Sequence, residues 1–329
     1  MIPFAYSKPH SIPEALRLAG PDSRFIAGGT NLVDLMKENL VRPQRLIDIN
    51  ALPLREVAAS ADGGLRIGAL VSNADLAWHP QVAARYPLIA QALLSGASPQ
   101  LRNMATVGGN LLQRTRCHYF YDSQMPCNKR EAGTGCPARD GLNRYHALFG
   151  ASEQCVAVHP SDFCVALAAL DAQVVVVGQG GERRIAFADF HRLPGERAQQ
   201  DTVLDDDELI LALELPARGF ADHSAYLKIR DRASFAFAVV SVAAALELDT
   251  DGNILEARLA LGGVAHKPWR NSAAEAVLVG QRPVTQAFAQ AAEQMLHGAQ
   301  PLAHNAFKVE LARRAIVRAL SNAAAGVSS

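Results

Sequence analysis

The chain has 329 residues, 49% of them hydrophobic, with 32 Lys+Arg against 32 Asp+Glu and a formal net charge of zero. That length allows two or three domains with real cores, and that composition excludes a disordered chain. Balanced charge advertises no polyanion, so nucleic acid is not an expected partner.

The N-terminus, Met1-Ile-Pro-Phe-Ala-Tyr-Ser-Lys-Pro-His10, lacks a basic segment followed by an apolar run, so no signal peptide is expected. The apolar runs are too short for a membrane span. The expectation is a soluble protein assembled in the cytoplasm with reduced thiols. Export as a folded passenger on a signal-bearing partner stays open.

In chain order, Arg24–Ala27 reads as a short strand running into Gly28-Gly29-Thr30-Asn31. A helix from Leu32 to about Asn39 and a strand Arg45–Ile49 complete a βαβ unit over residues 1–50. A middle α/β section, 51–216, follows. It contains a strand Gly64–Ala69, helices Asn73–Trp78 and Pro87–Gly96, and a loop Ala97–Asn110. Next comes a polar, cysteine-bearing insertion at about 114–155. A helix Pro160–Leu170 capped near Ser161, a hairpin Gln173–Val177 with Arg183–Ala186, and a strand Leu209–Leu215 close the section. The remainder, 217–329, reads as an antiparallel pair, Val239–Leu248 and Leu255–Val264, joined by Asp249-Thr-Asp-Gly-Asn253. Helices are expected at about 272–279, 284–297 and 305–322. The fold class is α+β: a two-part α/β domain, then an antiparallel sheet backed by helices.

Two glycine turns carry the first chemistry. In Phe25-Ile26-Ala27-Gly28-Gly29-Thr30-Asn31-Leu32, paired glycines after a strand let successive N–H groups converge on an anion at a helix N-terminus. For one Gly-Gly, a plain strand-to-helix turn is the commoner explanation. Thr106-Val-Gly-Gly109-Asn110 repeats the pattern, and two such turns raise the case for a shared dinucleotide. Gly262-Gly263, expected inside a strand, is assigned to packing or a bulge. No G-x-G-x-x-G follows a strand, which disfavours a Rossmann NAD site.

Cys117, Cys127, Cys136 and Cys155 can supply four soft ligands, suiting an iron–sulfur cluster or zinc. Their gaps of nine, eight and eighteen residues fit neither the close pairs of a zinc ribbon nor ferredoxin spacing. Cluster, zinc and unligated thiols therefore all stay open on spacing alone. Cys164, in an apolar helical run, is expected to be a buried free thiol. His118, His146 and His159 are expected as surface groups or as neighbours of a ligand. Arg116, Lys129 and Arg130 either offset cluster charge or form a solvated face. Asp205-Asp-Asp-Glu208 is a solvated turn. No catalytic triad or metalloprotease motif occurs.

The motifs together resemble the FAD-binding medium subunit of the molybdenum hydroxylases, the xanthine dehydrogenase and carbon monoxide dehydrogenase family. The carriers are Ala-Gly-Gly-Thr-Asn-Leu at 27–32 with Met36-Lys37, Ala-Ser-Pro-Gln-Leu-Arg-Asn at 97–103, Thr-Val-Gly-Gly-Asn at 106–110, His-Pro-Ser-Asp at 159–162 and Leu-Gly-Gly-Val at 261–264. Within that family the chain most resembles the flavin subunit of bacterial periplasmic aldehyde oxidoreductases. That narrower likeness rests on Leu-Leu-Gln-Arg-Thr-Arg-Cys at 111–117, Pro-Cys-Asn-Lys-Arg at 126–130 and Gly-Gly-Val-Ala-His-Lys-Pro-Trp-Arg at 262–270.

The resemblance implies FAD, with its pyrophosphate on Phe25–Leu32, continued by Thr106, Gly109 and Asn110. Asp162, Ile210 and Lys228 stand toward the ribityl or ring end. It implies a [4Fe–4S] cluster on the four cysteines, and no catalytic residue of the chain's own. It implies a heterotrimer with a [2Fe–2S] small subunit and a molybdenum-cofactor large subunit that oxidises an aldehyde. Electrons then leave by FAD to an external acceptor. A flavin subunit of the 4-hydroxybenzoyl-CoA reductase type is the rival within the redox class. A zinc-knot binding module is the rival outside it.

Overall fold

The computed structural model describes residues 1–326; the last three residues of the expected 217–329 section lie outside the described residues. Three sheets follow one another along the chain. The first has β1 (Ala5–Ser7), β2 (Ser23–Ile26) and β3 (Arg45–Asp48), all parallel in the order β1-β3-β2. Helix Ile12–Leu18 makes the crossover from β1 to β2. Ser11 caps it by accepting from the Glu14 N–H, and proline occupies its first turn. Helix Leu32–Lys37 connects β2 to β3.

The second sheet holds β4 (Val57–Ala59), β5 (Leu65–Gly68), β6 (Gln173–Gly178), β7 (Gly181–Ala186) and β8 (Leu209–Leu215), antiparallel in the order β4-β5-β8-β6-β7. The polar insertion thus falls between β5 and β6, neighbours of the same central strand. The third sheet has β9 (Ser224–Ile229), β10 (Val240–Leu248), β11 (Ile254–Gly262) and β12 (Trp269–Arg270), antiparallel in the order β12-β11-β10-β9.

Most expected elements form with bounds shifted by one to three residues. The segment Ala97–Asn110 differs in kind, because it carries two short helices, Pro99–Met104 and Val107–Leu111. Ser98 and Thr106 accept from the Leu101 and Gly109 N–H groups. The cap residues were present in the sequence, but the glycines and proline read as loop punctuation. The edge strands β1, β4 and β12 and the helices Ile12–Leu18 and Pro80–Arg85 were not expected. Each edge strand has two or three residues, too short for a hydrophobic period to register.

The third sheet is covered on both faces. Helix Phe307–Ala324 packs on one face, while helices Asp162–Ala169 and Pro87–Ser95 pack on the other. This explains why β10 is buried at seven consecutive residues rather than alternating. It also explains why all eight residues of Asp162–Ala169 are buried. Among the described residues, no helix is long and apolar enough to cross a membrane.

Candidate functional site

The first glycine turn leaves β2 at Ile26 and enters helix Leu32–Lys37. Gly29 has φ +72°, a conformation that favours glycine. Gly28 presses on a second segment: a Cβ there would lie 1.7 Å from the Met104 carbonyl oxygen. The two glycine turns are therefore neighbours in space. In the second, Gly108 packs on Ala69, and Thr106 is a buried helix cap.

Asn110 joins these turns to the helix that starts at Asp162. The Ser161 hydroxyl donates to Asn110 Oδ1 at 2.6 Å and also accepts from the Cys164 N–H at 3.1 Å. Lys228 reaches the same helix from β9. Its Nζ lies 2.7 Å from Asp162 Oδ2, and Tyr226 OH donates to Asp162 Oδ1 at 2.7 Å. Both charged side chains are under 10% exposed. Gly262 permits this approach: a Cβ there would meet Ser241 Oγ at 2.3 Å and Val165 at 2.6 Å. Lys228 and Gly262 both pair with Ser241, one on each side of β10.

These residues surround a cleft of about 630 Å³, within the range of a cofactor pocket. Thr30, Asn31, Gly109, Asn110, Asp162 and Lys228 line it. Phe25, Ile26, Ala27, Gly28, Gly29, Leu32 and Thr106 do not line it but set the backbone behind it. Ile210 lies in the core of the middle sheet, 4% exposed, and does not line the cleft. Sequence reasoning did not pick out Arg102 and Arg230, which edge the cleft, or the loop at Phe235. Phe235 sits at φ +50° and is 74% exposed. Asn31 offers a direct test of fit. Its Oδ1 accepts from the Arg114 N–H at 3.1 Å, while its buried Nδ2 has no protein partner. A donor left free at the wall of a glycine-edged, arginine-rimmed cleft suits a phosphate-bearing cofactor.

All five cysteines are free thiols. Cys117, Cys127, Cys136 and Cys155 line a single small cavity of about 10 Å³. Burial pushes the Cys117 thiol up to about 11. Cys136 and Cys155 share a hydrogen bond, which holds Cys136 down and, with burial, pushes Cys155 up. Four soft donors around one cavity are the ligand set of a metal cluster, whereas no three of them come within the 4.8 Å of one another that a single ion would need. Cys164 is fully buried within its helix and stands apart from this cavity.

The basic residues of the insertion are not a solvated face: each is bonded within the protein, and Lys129 also lines the cysteine cavity, where its charge favours the Cys155 thiolate. Lys129 is buried, bonded to Asp201 and to the Ala198 carbonyl at 3.0 Å; Arg114 meets the same carboxylate at 2.8 Å. Arg130 donates to the carbonyls of Tyr119 and Phe120 at 2.7 and 2.6 Å. Arg116 pairs with Asp34 at 3.1 Å. His146 is buried with Nε2 at 3.1 Å from Cys117 Sγ. Burial, with His118 and Lys308 nearby, holds its imidazole down at about 4, hence neutral.

A second cavity of about 390 Å³ lies between the two sites: Cys117 and His146 line it, as do Arg116, Ser161 and Asp162 of the cleft wall. Behind them His159, His191 and Cys164 form a buried group with potential ligand atoms within 4.8 Å of one another. The Ser161 N–H donates to His159 Nδ1 at 3.3 Å, which puts the proton of the neutral ring on Nε2. His191 Nε2 lies 2.9 Å from the Leu111 carbonyl, so it carries the proton and Nδ1 keeps the lone pair. Burial holds both imidazoles neutral, His159 well below the usual range and His191 at about 4. A proton on His159 Nε2 opposes metal ligation there.

Two family descriptions match the chain: the FAD binding domain in molybdopterin dehydrogenase over residues 2–218, and the CO dehydrogenase flavoprotein C-terminal domain over residues 225–323. The chain belongs to the FAD-binding medium-subunit family of the molybdenum hydroxylases. It is a flavin-containing oxidoreductase subunit. This medium subunit is 48% identical to the aldehyde oxidoreductase FAD-binding subunit PaoB of Escherichia coli (strain K12), over 98% of each chain. It is 28% identical to the carbon monoxide dehydrogenase medium chain of Hydrogenophaga pseudoflava, also over 98% of each chain. The solved carbon monoxide dehydrogenase of that organism superposes on the medium subunit with TM-score 0.76, covering 99% of both chains at 28% identity. Quinoline 2-oxidoreductase from Pseudomonas putida 86 superposes with TM-score 0.75 over 98% of both at 26% identity.

Proposed function

We propose that this chain is the electron-transfer subunit of a molybdenum-containing aldehyde oxidoreductase and carries both FAD and a [4Fe–4S] cluster. In this reading it stands between a [2Fe–2S] small subunit and an external acceptor, and the aldehyde is oxidised on a molybdenum-bearing large subunit of the same heterotrimer. The observation that carries it is the gathering of four cysteine thiols around one cavity, one intervening cavity away from a cofactor cleft. The 48% identity to an aldehyde oxidoreductase FAD-binding subunit supports the substrate class.

Bound FAD supplies a carrier able to take electrons singly and release them in pairs. The protein's part is to hold it. Residues 1–216 bind it, and Lys228, from the section that follows, reaches the same cleft. The turn Phe25–Leu32, with Thr106, Gly109 and Asn110, takes the pyrophosphate, and Asn31 Nδ2 gains the partner it lacks. Asp162 and Lys228 orient the ribityl or ring end, while Ile210 supports that wall from the core. Cys117, Cys127, Cys136 and Cys155 hold the cluster, which supplies a one-electron site.

An optical spectrum of the purified protein, with iron and sulfide analysis, tests this reading. Flavin absorbance and about four irons for the one cluster are expected. A flavin-free protein containing zinc would reject it. Cys127→Ser should remove the iron, whereas Cys164→Ser should keep it. Iron surviving in Cys127→Ser would overturn the ligand assignment.

A further inference from the structure

We infer that His146 is a positioning residue for the metal centre: its Nε2–H donates a hydrogen bond to the Cys117 sulfur and raises the reduction potential of the cluster held there. The inference rests on the [4Fe–4S] reading of the four cysteines. The geometry is local and specific. Nε2 stands 3.1 Å from Cys117 Sγ, and a thiolate bound to iron has no proton of its own to give. The imidazole must then be the donor, through Nε2.

The surroundings hold His146 in place from three sides. Its backbone N–H donates to the Asn143 carbonyl at 3.0 Å. Its carbonyl accepts from Lys308 Nζ at 2.8 Å and from Asn305 Nδ2 at 3.1 Å. Asn305 and Lys308 are fully buried, at 0% exposure. Such anchoring by Asn305 and Lys308, from outside the insertion, fixes a donor on a ligand sulfur. Arg116, Lys129 and Arg130, the cations adjacent in sequence to the cysteines, are spent on other partners. That leaves His146 as the described polar side chain bonded to a cysteine sulfur from outside the cysteine set. Cys117 and His146 also both line the cavity between the cysteines and the cleft.

One electron added to a thiolate-bound cluster increases negative charge on the sulfurs. A donor at a ligand sulfur therefore favours the reduced form, and its removal shifts the potential down. No proton moves in this step.

The test is a potentiometric titration of the intact protein, followed by low-temperature electron paramagnetic resonance, with iron measured in parallel. His146→Leu removes the donor; His146→Gln keeps an N–H of similar reach. The expected result is full iron in both variants. The reduced-to-oxidised ratio at fixed potential should fall roughly tenfold in His146→Leu, about 59 mV for one electron, and recover at least in part in His146→Gln. An unchanged potential in iron-replete His146→Leu overturns the inference. Loss of iron in both variants also overturns it, because the role is then only to keep the segment folded. An iron-free wild-type protein rejects the cluster reading and this inference with it.

Discussion

Lys228 shows how much one residue's meaning depends on its partner. Its side chain and that of Asp162 are 5% and 8% exposed, and they meet at 2.7 Å. A buried pair is a weak source of stability when intact, yet removing one partner leaves an uncompensated charge. Lys228→Met is therefore expected to destabilise the protein by about 3–5 kcal/mol, softened by the remaining Tyr226 hydroxyl, and to lower flavin occupancy. Thermal unfolding together with the flavin-to-protein ratio checks this. A variant as stable and as flavin-loaded as the wild type would show that the pair bears neither load. Of the site residues expected from sequence, Thr30, Asn31, Gly109, Asn110, Asp162 and Lys228 converge on one cleft. Glycine turns and a helix-capping serine were legible because their chemistry is local. Lys228 had no local signal at all, Arg102 stood only as one residue of the motif at 97–103, and Arg230 carried no signal of its own.

At the scale of the element, the cysteine segment stays in place with only one short helix of its own, His118–Tyr121. Its order comes from side chains bonded to backbone and from carboxylates, of which Asp201 is the least exposed. Burial by itself would raise the Asp201 carboxyl, but Lys129 and Arg114 outweigh burial and hold it well below the usual carboxylate range. A depressed folded value contributes stability above the unfolded value, about 3.9, and that contribution is lost as pH falls through the folded one. The anchoring of the segment should therefore weaken progressively below about pH 4. Asp201→Asn should remove that acid dependence and leave Lys129 buried without a counter-charge. Hydrogen exchange or limited proteolysis of the segment across pH 2–6 measures it. Equal acid profiles for variant and wild type would contradict the assignment. The sequence marked this segment as irregular and cysteine-bearing, but the anchor lies some seventy residues away from Lys129 and could not be read from composition.

At the scale of the whole molecule, the C-terminal unit reaches back to the cysteine segment through Lys308. This lysine is fully buried in helix Phe307–Ala324 and donates to the His146 carbonyl at 2.8 Å and the Gly263 carbonyl at 2.6 Å. Burial, with Arg144 nearby, holds its ammonium down at about 7. The unfolded chain then binds more protons than the folded one between about pH 7 and the ordinary lysine value near 10.4. Stability contributed by this site should rise with pH across that window. Lys308→Met should flatten the rise, as read by denaturant unfolding at several pH values. A slope unchanged by the substitution would place the alkaline dependence elsewhere.

The sequence by itself determined the elements with strong local periodicity, the glycine and capping turns, and the position of the cysteine insertion between the Thr106–Asn110 turn and the helix cap at Ser161. Those features depend on residues close in the chain, whose backbone preferences act before any tertiary contact forms. Only the tertiary structure decided which charges are paired. It sent Lys129 to Asp201, set Lys228 against Asp162, and placed His146 on Cys117. It also withdrew Ile210 into the core and gathered the four thiols around one cavity. Those outcomes follow from sheets and helices closing on both faces of shared layers, which brings together residues whose separation in sequence carries no record of their contact.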